Sequence, residues 1–427
     1  MRTSIVLSSM LVVLTAVGAH AQSVAIVGGK VFPVSGPPIE HATVLIKDGK
    51  IAAVGTNVAI PADAKRVDAT GKWVTPGLVN AATQVTIMEV GSVAGTREGS
   101  PRGSNGIAAA YRVWDGVNPN SVLIQPARNG GVTSVVIGPS GGLVSGQAAV
   151  VQLVDGDAAA MTLRAPVAMV AQVGNARAAG VNARGELLNR LRELIEDTKF
   201  YMAHRLDYDR AQSRQLSASK MDLEAMIPVV QGKLPLVIET NKASDIVSAL
   251  DLAKQYGLKI MIGGGAEAWE VADRLAAAKV PVITGAMNNI PMSFAELGAE
   301  QENAGKLARA GVSVALIGNA GGGDEEAFNV RNVRFEAGNA VAYGMKWDDA
   351  LRAITLTPAE MFGVAARVGS LQPGKDGDVV VWSGDPFEFA TQPEQVFIRG
   401  KEVDAPSRQD MLEQRYKKLP PDYEKKP

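Results

Sequence analysis

Cysteine is absent from the 427-residue sequence, and histidine is scarce. Without cysteine, the chain can form neither disulfides nor thiolate metal sites. The three histidines, His20, His41 and His204, lie far apart in sequence. His20 belongs to an N-terminal segment that we expect to be removed, so two imidazoles are left. A metal site built from several histidines is therefore excluded, however the chain folds.

Neither sign of charge dominates, since 43 lysines and arginines face 44 aspartates and glutamates. Proteins that bind nucleic acid present a basic surface, so this balance argues against a nucleic-acid partner. Long apolar runs are also lacking after residue 18, because no later stretch reaches the ~18 apolar residues that a membrane-spanning helix needs. We therefore expect no membrane span.

The first 21 residues have the pattern of an export signal. Arg2 supplies a positive start, residues 5–18 form an apolar run, and Ala19-His20-Ala21 gives the small-x-small pattern of a cleavage site. The pattern predicts a signal peptide over residues 1–21, cleaved after Ala21. The protein is then expected to be periplasmic or secreted.

Short, β-rich segments occupy both ends of the remaining chain. Residues 22–73 contain four of them, with Asp48-Gly49 at a predicted two-residue hairpin turn. Residues 363–404 have the same character, so we expect both ends to form one small composite β-sandwich. The charged tail over residues 405–427 is predicted to have little fixed structure beyond a helix near residues 409–417.

The middle of the chain, residues 74–362, alternates buried strands with helices. The predicted strands are short, continuous and β-branched, as in parallel sheets covered on both faces. They span Val132–Ile137, Pro166–Ala171, Pro235–Glu239, Leu258–Ile262, Val280–Thr284 and Val312–Ile317. A helix over Glu186–Ala203 carries one apolar stripe, and this phase leaves His204 exposed. The pattern predicts an α/β fold with a (β/α)8 TIM-like barrel, with a doubly wound open sheet as the alternative.

Several motifs resemble the amidohydrolase superfamily, the metal-dependent hydrolases of C–N bonds. The run "VTPGLVN" is similar to that family's first barrel strand. Gly131–Val151 and Thr240–Leu275 resemble its imidazolonepropionase-like branch, and Ala350–Glu388 resembles the family's closing segment. The resemblance covers nearly the whole chain after the predicted signal, and it implies the same barrel.

The resemblance also implies a metal centre at the carboxyl ends of the barrel strands. Family members hold one or two metals with a His-x-His pair, a Lys or Glu, two further histidines and an Asp. In this chain the corresponding positions are Ala82, Gln84, Val170, Glu239, Gly264 and Asn319. Catalytic zinc needs about three strong protein ligands. One carboxylate and two neutral amides do not meet that need, so we expect a degenerate centre and no cofactor.

A rebuilt site of another kind is the alternative. Asp324 and Glu325 follow the eighth predicted strand, and with Glu239 and Glu267 they could form an oxygen-rich site for Ca²⁺ or Mg²⁺. Acidic residues before a helix are equally ordinary capping residues. The glycine-rich run at residues 138–142 lacks the Gly-Lys-Ser/Thr ending of a phosphate-binding loop, so we interpret it as a turn.

A Ser–His–Asp triad is not expected, because His204 belongs on an outer helix and His41 in the predicted sandwich. The leading hypothesis is a non-catalytic amidohydrolase-fold protein. It would either accompany a catalytically intact homologue, or copies of itself, as a subunit, or bind a small polar ligand. The alternative is a hydrolase of non-peptide C–N bonds that uses a rebuilt carboxylate metal site or Glu239 as general base. The residues predicted to line the pocket are Asn80, Gln84, Gln147, Asn175, Glu239, Asn241, Gly264 and Asn319.

Overall fold

A computed structural model describes residues 23–174, 181–287, 291, 293–318, 325–406 and 408–417. The strands, numbered β1 to β16 in chain order, are Val24–Val31, Ile39–Lys47, Lys50–Gly55, Lys65–Asp68, Trp73–Pro76, Leu78–Thr83, Val132–Ile137, Val144–Gln152, Thr162–Gln172, Leu236–Thr240, Ile260–Gly264, Val282–Thr284, Val314–Leu316, Val379–Trp382, Pro393–Ile398 and Lys401–Glu402. The α-helices, numbered α1 to α13, are Ile124–Asn129, Ala158–Met161, Arg184–Ala203, Arg205–Asp209, Lys220–Val230, Ala243–Tyr256, Ala272–Ala278, Asn303–Arg309, Glu325–Phe328, Val333–Ala342, Trp347–Ala353, Leu356–Met361 and Arg408–Tyr416.

The central sheet contains β6 to β13 in consecutive order. Its first and last strands approach each other, so the sheet is nearly closed into a barrel. A doubly wound sheet reverses its strand order at a switch point, and this sheet does not. The α/β barrel prediction is confirmed at this level, and the open-sheet alternative is wrong.

One strand of the barrel departs from the prediction of a parallel sheet. β8 runs antiparallel to both β7 and β9. The connection between β7 and β8 is residues 138–143. A parallel neighbour needs a crossover of a dozen or more residues, so this loop is long enough only for an antiparallel return.

The barrel is filled by side chains that alternate along each strand. In β10, Leu236 and Ile238 belong to the cluster between strands and helices. Val237, between them, belongs to a second cluster inside the barrel. The members of this inner cluster that lie on barrel strands include Ala81, Val136, Ala148, Val150, Ala168, Val170, Val237, Met261, Ile283 and Ala315. The interior is therefore an apolar core and not a channel.

The two chain ends join in a second sheet of order β16-β15-β14-β5-β1-β2-β3, with β4 paired to β1. β14 pairs antiparallel with β5, which places Val379 opposite Pro76. This sheet, called the terminal sheet below, therefore combines strands from residues 24–76 and 379–402. That it forms one layer of a β-sandwich, and that the domain boundaries lie near residues 73 and 363, remain predictions.

The predicted hairpin, the predicted helix before His204 and the exposure of both histidines are all present in the structure. Asp48 and Gly49, with φ of 52° and 74°, connect β2 and β3, and Lys47 pairs with Lys50, so the two-residue hairpin is confirmed. The predicted helix is α3, and His204 follows it on the surface. His41 is also exposed.

None of the helices in the described part of the chain has the length and apolar character of a membrane span. The predicted signal peptide lies outside the described residues.

Asp378, just before β14, is buried at the joint between the barrel and the terminal sheet. Its Oδ1 accepts a hydrogen bond from the backbone N–H of Arg399 at 2.9 Å, and its Oδ2 accepts one from Nε2 of Gln152 at 2.8 Å. Burial raises the pKa of the Asp378 carboxyl to about 6, and the nearby Asp376 carboxylate adds to the rise. The two hydrogen bonds oppose it only in part.

We predict that Asp378 makes the chain less stable as the pH rises from about 4 to about 7. The folded-state pKa exceeds the ordinary value of 3.8, so the folded protein binds the extra proton between these values, and that stabilisation is lost as the pH passes 6. The difference corresponds to roughly 3 kcal/mol. Urea unfolding at several pH values checks this. In Asp378→Asn the free energy of unfolding should no longer fall between about pH 4 and pH 7. In the control Asp155→Asn, whose carboxylate forms an ion pair at the surface, it should fall as in wild type. Identical profiles for wild type and Asp378→Asn would contradict the prediction.

Candidate functional site

The candidate site lies at the carboxyl ends of the parallel barrel strands, where ligands bind in barrels of this kind. The alternation in β10 directs Glu239 inward, because Val237 faces the interior and Ile238 the helices. Glu239 is half-buried at the end of its strand. Its carbonyl oxygen accepts N–H groups of Val173 and Gly174 at 3.2 and 3.3 Å, which ties the ends of β9 and β10 together. Of the predicted ligand positions that the structure describes, only this one carries a charged oxygen.

Glycine lets the Glu239 side chain pack directly against β11. Gly263 is paired with Glu239 across β10 and β11, and a Cβ added there would lie 3.3 Å from the Cγ of Glu239 and 3.3 Å from Cγ1 of Val237. Both distances are shorter than an ordinary van der Waals contact. Any larger residue at position 263 would therefore crowd Glu239.

Position 264 disfavours any side chain. Gly264 has φ of +83°, a left-handed conformation that favours glycine. A Cβ there would also lie 2.4 Å from Oδ1 of Asn241. That amide is held in place, because its Nδ2 donates to Oε1 of Glu296 at 2.7 Å. A histidine, which the resemblance implies at this position, would be strained at this φ and would crowd the Asn241 amide.

The remaining described ligand positions have no suitable donor either. Val170 is 5% exposed and belongs to the inner apolar cluster, and Ala82 packs against the same cluster. Gln84 donates from Nε2 to the hydroxyl of Ser140 at 3.0 Å, which links the loops that follow β6 and β7. The metal centre that the resemblance implies therefore does not fit these residues.

Two predicted pocket residues hydrogen-bond on the outer side of the strands. Asn80 is fully buried, and its Nδ2 donates to the carbonyl of Val330 at 3.4 Å. Gln147 precedes the inward-facing Ala148 and donates from Nε2 to the carbonyl of Ala109 at 3.1 Å. The structure therefore does not bring Asn80 or Gln147 toward Glu239. Asn175, Asn319, Asp324 and the side chain of Glu325 lie outside the described residues.

Two carboxylates near the barrel mouth accept hydrogen bonds from backbone N–H groups and so fix the segments that follow the strands. Glu267, proposed above for an oxygen-rich cation site, is buried and accepts the N–H groups of Ala243 and Gly298, both at 2.9 Å. Glu336 on α10 accepts the N–H of Met287 at 2.7 Å, a role that its helical sequence context does not indicate. Within the described ranges, no three His, Cys, Asp or Glu residues cluster closely enough to hold a metal ion.

Comparison with known proteins identifies relatives of this chain. The model of the amidohydrolase family matches residues 274–403. Amidohydrolase tasK from Hapsidospora irregularis is 24% identical over 394 residues, which are 84% of this chain and 39% of that protein. The chain thus spans about two-fifths of the length of this relative. An imidazolonepropionase from a Bradyrhizobium strain is 25% identical over 386 residues, 81% of this chain and 87% of the relative.

A solved structure of an amidohydrolase from Thermotoga maritima is 29% identical to this chain and superposes with a TM-score of 0.80. The superposition covers 90% of this chain and all of that one. Together with the family match and the imidazolonepropionase relative, it supports the amidohydrolase superfamily that the sequence motifs predict.

We predict that Gly264→Ala destabilises the protein more than Gly311→Ala. Gly311 has nearly the same φ, +86°, but a Cβ there has nothing within 4 Å, so it isolates the cost of backbone strain. Strain should cost about 1 kcal/mol in both variants. The contact with Asn241 should cost a further ~1–3 kcal/mol in Gly264→Ala. Urea unfolding measures both values, and equal losses would show that position 264 accommodates a side chain.

Proposed function

We propose that this chain, an amidohydrolase-superfamily protein by sequence and fold, is a non-catalytic member that binds a small polar ligand at the old active site. The observation that carries the proposal is the backbone conformation at Gly264. Glycine supplies no donor atom there, and its left-handed φ together with the nearby Asn241 amide disfavours any residue that would supply one. Val170 and Ala82 remove two more positions, because neither side chain has a donor atom.

The chemistry of hydrolysis explains why these losses matter. In metal-dependent hydrolases the metal lowers the pKa of bound water to about 7 and stabilises the developing charge on the substrate. Glu239 could act as a general base without a metal, but one base leaves most of the barrier to C–N cleavage unmet. The alternative of a rebuilt carboxylate site is weakened because both carboxylate oxygens of Glu267 accept backbone N–H groups, one at the start of α6 and one in the loop after β12.

The geometry around Glu239 supports binding in place of catalysis. The alternation along β10 directs the Glu239 side chain to the barrel mouth, above the apolar side chains of the inner cluster. A half-buried carboxylate forms strong hydrogen bonds with charged donors. A small ligand with a polar or cationic head is therefore the chemistry that this site suits.

A second role, as a non-catalytic subunit beside an intact homologue or a second copy, is favoured by a different observation. The loop after β12 exposes large apolar side chains, with Phe294 88% and Leu297 64% exposed. This loop follows the carboxyl end of its strand, so these side chains lie on the mouth side of the barrel. Exposed apolar groups of this size are typical of protein–protein contact surfaces.

We also propose that the chain is exported, on the basis of its N-terminal pattern. Native purification from the periplasmic fraction, without a tag, tests export and the subunit role together. We expect a chain that begins at Gln22, is recovered without a second polypeptide and does not hydrolyse cyclic amides. Co-purification with a histidine-rich homologue of similar size would favour the subunit role over the binder. A chain that begins at Met1 in the cytoplasm would contradict export.

A further inference from the structure

The C-terminal helix α13 borders a cleft on the outside of the barrel. None of the helix residues is buried. The opposite wall is formed by residues 120–122 and by Gln125 of α1. The cleft encloses about 490 Å³, which lies within the range of ~300–1,000 Å³ that is typical of small-molecule sites. It shares no residue with the pocket predicted at the barrel mouth.

One face of α13 lines this cleft. Its four lining residues are Arg408, Met411, Leu412 and Arg415. The spacing i, i+3, i+4, i+7 places them on the same side of a helix. The two arginines lie about 10.5 Å apart along the helix axis, one on either side of the apolar pair. Met411 is 51% exposed and Leu412 is 39% exposed, so the apolar centre of this face is open to a ligand.

The charge of the cleft is of one sign. Among the described residues that line it, the two arginines are the charged ones, and no aspartate or glutamate accompanies them. Neither Arg408 nor Arg415 forms an ion pair with another described residue. Arginine pairs with a carboxylate through two parallel N–H donors, so a carboxylate is the group that complements these side chains.

A neighbouring cavity shows what a neutralised basic surface looks like in this chain. It shares Gln125 with the cleft and encloses about 280 Å³. Its Arg128 and Lys401 both pair with the carboxylate of Asp155. The basic charge of that cavity is therefore already balanced, and only the cleft beside α13 offers arginines for an external anion.

The length of α13 gives a ligand a structural effect. Isolated helices shorter than ~12–15 residues are marginally stable in water, and α13 has nine residues. The carbonyl of Ala405, just before the helix, accepts a hydrogen bond from Nε2 of Gln125 at 2.8 Å, which ties the start of this segment to α1. An apolar group packed against Met411 and Leu412 would add the tertiary contact that the helix itself lacks.

We propose that the cleft between α13 and α1 binds a small organic anion that joins a carboxylate to an apolar body, as in a medium-chain fatty acid. The apolar body contacts Met411, Leu412 and Val122, and the carboxylate pairs with Arg408 or Arg415. This inference goes beyond the proposed function, because the cleft is separate from the barrel mouth.

Titration of the full chain with three matched probes at neutral pH and low salt tests the proposal. Octanoate, octanamide and octylamine have the same alkyl chain, and their head groups are anionic, neutral and cationic. We expect octanoate to bind about fivefold more tightly than octanamide, the upper range for an exposed ion pair, and octylamine to bind most weakly. Equal binding of octanoate and octanamide, or no octanoate binding at millimolar concentrations, would overturn the proposal.

Variants on α13 separate the two parts of the ligand. Arg408→Gln combined with Arg415→Gln should lower the affinity for octanoate to that for octanamide. Leu412→Ser should weaken both probes alike, because both use the apolar body. These variants should fold normally, since no residue of α13 is buried. Arg274→Gln, at an exposed arginine on α7, is the matched control and should bind octanoate as wild type does. Unchanged affinity in the double arginine variant would contradict the proposal.

Amide hydrogen exchange locates the bound probe. Octanoate should slow exchange in residues 408–416, because it stabilises the helix. Slowed exchange at the ends of β9 and β10 in place of α13 would put octanoate at the barrel mouth and overturn the cleft as its site. That outcome would leave the proposed function standing, so the two proposals fail separately.

Discussion

Each strand of the nearly closed barrel places successive side chains alternately inside the barrel and against the surrounding helices. This alternation decides which residues can take part in a site at the mouth. It directs Glu239 and Gln172 inward, while Gln147 bonds to a carbonyl outside. The apolar interior and the lack of a donor atom at Val170 both follow from which residues occupy the inward positions.

The described residues at the mouth of this barrel do not fit the metal centre that the resemblance implies. A metal centre requires several donor atoms converging on one point. Here the inward positions hold Val170, a carboxylate at 239 and glycine at 263, and the left-handed φ at Gly264 disfavours a side chain there. Glu267 and Glu336 are committed to loop N–H groups. What is left is a small polar site above an apolar floor.

Much of the fold follows from local patterns in the sequence. Short β-branched runs predict barrel strands, and Asp48-Gly49 predicts its hairpin, because these signals depend on neighbours along the chain. The strand pattern does not predict that β8 runs antiparallel, although the loop between Ile137 and Val144 is too short for a parallel crossover. Motif alignment assigns the expected ligand positions, and those that the structure describes lie within the last three residues of a barrel strand or directly after one.

Other features depend on contacts between residues far apart in sequence, and no local pattern indicates them. Glu336 reaches the loop after β12 from a helix some fifty residues further along the chain. Asn80 bonds outward to Val330, across most of the barrel segment. Asp378 acquires its raised pKa from burial between the barrel and a sheet built from both chain ends. Gln172 lies beside Glu239 only because β9 pairs with β10, although the two residues are far apart in sequence.

The central claim is that the inherited metal centre is lost. Its most direct test is the metal content per chain, measured by inductively coupled plasma mass spectrometry on protein purified from its native source without chelators. The account predicts far less than one zinc, iron, manganese, calcium or magnesium ion per chain. A stoichiometric metal, lost in Glu239→Gln but retained in an exposed control such as Glu394→Gln, would contradict it.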